Sequence, residues 1–244
     1  MLSSIIKNQK CCKGFTLVEV LITLGVIGVV AALTMPILTQ NYNKKITETR
    51  LKKFYSTMNQ TVERLKVDHG DLKDWDYPVD NVYEEGEEET VEHLTNQSEA
   101  IATKFEEYFG KYIEFIDKKK VVVEGKDRYL FYFKDGSAIM PAWYNNYDYE
   151  FFPKNPAKCL KKLHENRYGV CSFAFQFFVN YSGYQKAFIP YTTGALGNYT
   201  KTTLYEDSTK GCRNGTHMSG NFCTLIIMLN NWTVPDDYPK KLSY

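Results

Sequence analysis

The sequence predicts an α+β protein. A long N-terminal helix, apolar in its first half and amphipathic in its second, packs on a C-terminal head with an antiparallel β-sheet. Three observations carry this. Residues 15–35 hold one charge, Glu19, and about 21 residues at 1.5 Å each cross the ~30 Å hydrocarbon core of a bilayer. Next, Ile46, Leu51, Phe54, Tyr55, Met58, Val62 and Leu65 fall on one helical stripe. Beyond residue 120 the chain turns to aromatic and β-branched runs divided by tight turns.

The totals agree. The chain has 244 residues, 43% hydrophobic and 15% aromatic, enough for a real core and unlike a disordered chain. Net charge is +1, but Lys7, Lys10 and Lys13 all precede residue 14, and residues 15–244 carry −2. That balance leaves no basic footprint for nucleic acid, and none is predicted as a partner.

Residues 1–14 form a basic leader. The positive-inside rule places it in the cytoplasm and the bulk of the chain outside, with membrane lipid around residues 15–36. Glu19 is costly there, so a carboxylate at that depth calls for a partner. If the chain were cut between Gly14 and Phe15, a new α-ammonium would lie one helical turn before Glu19, at matching depth in a neighbouring copy. Gly25 and Gly28 would let other helices approach closely. Pro36 is where a kink is predicted. The amphipathic extension runs over 37–69, and His69-Gly70 supplies the stop, Gly being suited to the left-handed position after a helix.

A short basic leader ending in Gly14, then Phe15-Thr16-Leu17-Val18-Glu19 and a long apolar run, resembles the N-terminal signal of type IV pilins and type II secretion pseudopilins. The resemblance covers roughly the first 55 residues. It implies cleavage of the Gly14–Phe15 bond by a prepilin peptidase, methylation of Phe15 by the same enzyme, and alignment of subunits by Glu19. The implied partners are that peptidase/methyltransferase, other pilin or pseudopilin subunits and an inner-membrane assembly platform. The implied location is the bacterial inner membrane, single-pass, and then an extracytoplasmic filament. An ordinary secretory signal would instead be cut after its apolar run, where Ala31-Ala32-Leu33 stands. A lipoprotein cysteine would also come after the run, whereas Cys11 and Cys12 precede it.

The head is predicted over 70–244. Residues 71–97 are polar and acidic, centred on Glu84-Glu85-Gly86-Glu87-Glu88-Glu89. Such a run reads as solvated, and Ca²⁺ is the one cofactor it leaves open, although the spacing matches no defined calcium loop. Residues 97–109 read as a short helix ended by Gly110. Strands are predicted at 121–123, 128–133, 137–143, 171–179, 186–189 and 224–229, with a hairpin signal at Asp135-Gly136.

Past the leader, four cysteines remain, an even number outside the membrane. Three pairings are open, and the two close spacings favour Cys159–Cys171 and Cys212–Cys223. Zinc is the rival reading, but there is no CxxC pair and no histidine at ligand spacing. No phosphate loop or nucleophile elbow occurs, and the histidines are scattered, so no enzyme is predicted. The chain reads as a structural subunit acting by assembly. The alternative is a membrane-tethered binding module whose aromatic-rich head recognises a sugar, a surface or DNA.

Overall fold

The computed structural model describes residues 14–77, 91–141, 147–178, 188–193, 199–215 and 219–244. Two compact units share the chain, Met1–Asn41 and Tyr42–Tyr244. Helix α1 (Leu17–His69) contributes to both. In the first unit its large apolar side chains, from Leu17 through Leu38, are exposed. In the second, Thr47, Leu51, Phe54, Met58, Val62 and Leu65 form a buried stripe at spacings of three and four. Gly70 ends the helix at φ 78°, its N–H reaching Lys66 O at 3.0 Å, a conformation that costs glycine little.

After a 3-10 turn (Leu72–Asp74) comes α2 (Val91–Phe109), followed by strands β1 (Phe115–Val123), β2 (Lys126–Phe133), β3 (Ala138–Pro141) and β4 (Asp148–Phe152). Short helices α3 (Pro156–Cys159) and α4 (His164–Arg167) precede β5 (Phe173–Phe177) and β6 (Phe188–Pro190), and α5 (Lys201–Glu206) and α6 (Cys223–Leu229) complete the chain. The six strands form one antiparallel meander in chain order. Glu124-Gly125, both at positive φ, close the first hairpin. Asp135-Gly136 close the second, Asp135 Oδ1 accepting from the Ser137 N–H at 3.1 Å.

Strand periodicity sorts the core into two layers. Phe131, Ile139, Tyr149, Phe151, Phe173, Phe175 and Phe177 join the α1 stripe and α2. Their neighbours Leu130, Ala138, Met140, Phe152 and Ala174 join the two disulfides and α6. Phe54 is central to the first layer, stacked on Phe151 at 4.0 Å and edge-on to Phe175 and Phe188. Arg167 and Glu150 are fully buried as an ion pair, Nε to Oε1 2.9 Å and Nη2 to Oε2 3.3 Å.

Residues 238–244 strap the head together. Tyr238 Oη donates to Gly169 O, Lys240 Nζ to Glu165 O and Tyr168 O, and the Ser243 N–H to Val170 O. Asn43 Nδ2 donates to Leu242 O, and Thr47 Oγ1 meets the Tyr244 hydroxyl.

Four sequence readings need correction, the first being the strand predicted at 121–123, which starts at Phe115. Residues 224–229 belong to helix α6, not a strand. A short buried apolar run carries no periodicity that separates strand from helix. The sheet edge it would have joined is already closed, since Asn59 Nδ2 donates to Phe188 O at 2.8 Å and Asn59 Oδ1 accepts the Phe188 N–H at 3.4 Å. The helix predicted from residue 97 begins at Val91. Strand β4 is absent from the predicted set, because its acids Asp148 and Glu150 disguise a strand that is buried at every residue. The acidic run 84–89, and the calcium reading placed on it, lie outside the described residues.

Candidate functional site at the start of the long helix

Glu19 does not project freely from the first turn of α1. Its Oε2 accepts from the Thr16 N–H and from Thr16 Oγ1, both at 2.8 Å, while the Glu19 N–H returns a bond to Thr16 Oγ1 at 3.3 Å. This is a capping box: a threonine before the helix and a glutamate three residues on satisfy each other's orphan donors. The Thr16-x-x-Glu19 spacing is visible in the sequence, although lipid depth alone points only to a partner outside the chain. Among the described residues both side-chain bonds use Oε2, leaving Oε1 of the same carboxylate for another donor.

Gly14 and Phe15 lie exposed just before this cap. A Cβ built on Gly14 meets nothing within 4 Å, and the same holds at Gly25 and Gly28. Among the described residues, packing therefore demands glycine at none of the three. The first half of α1 is long and apolar enough to cross a membrane. Pro36 sits inside the helix, where it cannot donate to the carbonyl of Ala32.

In the head, Cys159 and Cys171 form one disulfide with Cα atoms 5.8 Å apart, and Cys212 and Cys223 the other at 4.7 Å. That occupies all four thiols the zinc reading needed. Among the described residues no group of three or more His, Cys, Asp or Glu is placed to hold a metal ion. His164 is buried, stacked on Tyr168 at 3.9 Å and bonded to Asn221 Oδ1 at 3.1 Å.

Residues 37–242 match a family of unknown function (DUF6613), a span covering most of the chain. The chain belongs to that family. Residues 9–35 match the prokaryotic N-terminal methylation motif, which makes the chain type IV pilin-like. The two matches meet at Pro36. No curated protein and no solved structure matches. In this pilin-like chain, the motif covers Gly14, Phe15 and the capped Thr16–Glu19 turn. Motif and apolar helix together fit a membrane-anchored, single-pass protein. They suggest a structural subunit rather than an enzyme.

Proposed function

We propose that this chain is a minor pilin or pseudopilin, a structural subunit of a type IV pilus or type II secretion pseudopilus. The methylation motif at residues 9–35, set on an exposed apolar helix, carries the reading. Prepilin peptidase cuts the Gly14–Phe15 bond and methylates Phe15. Glycine at position 14 is demanded by no neighbour among the described residues, which is consistent with a residue kept for the enzyme that reads it.

Assembly rests on the charge left behind. In a low-dielectric helix bundle the Glu19 carboxylate attracts the terminal ammonium of a neighbouring subunit far more strongly than it would in water, and a mismatch in register leaves both charges uncompensated. The cap holds Oε2 toward its own helix, and Oε1 is the atom offered to the neighbour. Gly25 and Gly28 then allow close helix contact, while the heads form the outer shell. The test is intact mass and N-terminal tandem mass spectrometry of protein purified from its own membranes. A mature chain starting at N-methyl-Phe15 is expected. A start at Met1 or near Leu33 would overturn the proposal.

A further inference from the structure

A groove of about 490 Å³ lies in the head between α1 and the turn after α6, lined chiefly by Lys45, Lys52, Lys53, Ser56 and Trp232. Two independent features mark it. The first is backbone strain. Asn231 and Trp232 both adopt positive φ, 54° and 61°. Asparagine tolerates that region; a bulky tryptophan there is an outlier that persists only where surrounding bonds over-determine it. They do so here. The Trp232 N–H donates to Ile227 O at 2.8 Å, the Thr233 N–H to Asn230 O at 3.0 Å, Asn230 Nδ2 to Thr233 O at 2.9 Å, and the Val234 N–H to Glu48 Oε1 at 3.0 Å. Glycine would meet the same backbone at less cost. The turn instead keeps an indole, half-buried against Tyr55 at 4.9 Å, as one wall of the groove.

The second feature is unbalanced charge. Lysines near the groove are matched where the fold matches them: Lys44 pairs with Asp236 at 3.3 Å and Lys53 with Asp135 at 3.1 Å. Lys45 and Lys52, one side of α1 two turns apart, form no ion pair among the described residues, and Glu48, the one groove carboxylate among them, accepts the Val234 N–H through Oε1 and leaves the groove lysines in excess. Thr49, Ser56 and Thr233 add hydroxyls between the ammonium groups and the ring.

We infer that this groove binds an anionic saccharide, a sugar ring carrying carboxylate or phosphate. The indole face takes the apolar C–H face of the sugar, Lys45 and Lys52 take its anion, and the hydroxyls order its OH groups. A lipid headgroup would satisfy the lysines but leave the exposed part of the indole wall unused, and a second protein copy would need apolar surface that Lys45, Thr49, Lys52 and Ser56 do not supply. The inference concerns the head and stands apart from filament assembly.

The test is titration of the full chain in detergent micelles with tetragalacturonate, mannose 6-phosphate, neutral galactotetraose, inorganic phosphate and phosphatidylglycerol vesicles, monitored by tryptophan emission and calorimetry. Saturable binding of either anionic sugar, at least tenfold tighter than the neutral tetrasaccharide and than phosphate, is the expected result, and which sugar binds tells carboxylate from phosphate. The double variant K45Q/K52Q, on an exposed helix face, should weaken binding about tenfold with unchanged circular dichroism. Trp232→Gly, which suits the backbone and removes the ring, should weaken it by a similar factor. Absence of saturable binding to both anionic sugars, equal affinity for the neutral tetrasaccharide or for phosphate, binding to vesicles alone, or indifference to K45Q/K52Q would each overturn the inference.

Discussion

Replacing Arg167 with methionine tests whether the second core layer is built around a buried charge. Both members of the Arg167–Glu150 pair are essentially inaccessible, 1% and 0% exposed, and the contact is bidentate. Burial works against the guanidinium's charge, and Glu150 more than offsets it, leaving the Arg167 pKa raised. Methionine fills a similar volume and packs well, so the main loss is electrostatic: Glu150 stays in the core without a counter-charge. Removing one partner of such a pair costs about 3–5 kcal/mol. With a guanidinium m-value of about 4 kcal/mol/M, the unfolding midpoint should fall by about 0.8–1.2 M. Glu124, 42% exposed, also touches Arg167 Nη1 at 3.3 Å, but losing a contact to an exposed partner adds under about 1 kcal/mol to the cost. The double variant R167M/E150Q should recover a large part of the loss, because glutamine leaves no charge behind. The assay is guanidinium unfolding of the oxidised full chain in detergent, monitored by near-UV circular dichroism. A shift below about 0.2 M for R167M alone would refute the reasoning.

Other parts of the molecule give three further predictions. Glu19→Gln keeps an N3 side chain able to complete the capping box but loses the charge; Glu19→Ala loses both. Filament incorporation should fail for both while membrane insertion persists, and normal incorporation of the glutamine variant, scored by shearing and immunoblot, would remove the charge from the mechanism. Asn59→Ala uncovers the Phe188 N–H and C=O at the β6 edge and should cost about 1–3 kcal/mol; a Tm within a degree of the parent would contradict the capping described for that edge. Lys240 has its pKa pushed down to about 8, burial being the main cause. Its folded-state pKa lies below the unfolded value, so between pH 8 and 10.5 the unfolded chain binds more protons and stability rises with pH. The gain from pH 8 to 9.5 should be about 1–2 kcal/mol, before the buried tyrosines begin to oppose it, and Lys240→Met should flatten the profile.

Local features were the legible ones. The apolar run, the Leu51–Leu65 stripe, Gly70, the Asp135-Gly136 turn and the Gly14–Phe15–Glu19 spacing each depend on residues a few positions apart, where periodicity and turn chemistry act directly. What escaped depends on distant partners. Asp148 and Glu150 give β4 the look of a surface segment, and distant partners such as Gln176, 28 positions away, and Arg167, 17 away, are what accommodate two acids inside. Residues 224–229 pass for a strand in sequence because nothing local shows that Asn59, 129 positions from Phe188, occupies the edge. At the N-terminal site the capping box is readable by spacing alone. There the membrane depth of Glu19 masks an ordinary helix start.

The strap at residues 238–244 has a consequence for timing. Asn43 reaches Leu242 across 199 positions and Thr47 reaches Tyr244 across 197. During synthesis the base of the head's long helix therefore emerges almost two hundred residues before the groups that finish it. Closing a loop of that length carries a large entropic charge, and contacts so remote slow folding. Leu51, Phe54 and Met58 stay uncovered until the sheet residues that pack with them, Phe151, Phe175 and Phe188 among them, have been made, and the last turn of cover at Asn43 and Thr47 comes later still, a window in which a chaperone or the bilayer itself has to shield the nascent chain. Cutting back residues 241–244 would thus show first as poor yield and aggregation, well before any change in the finished fold's contacts with its neighbours.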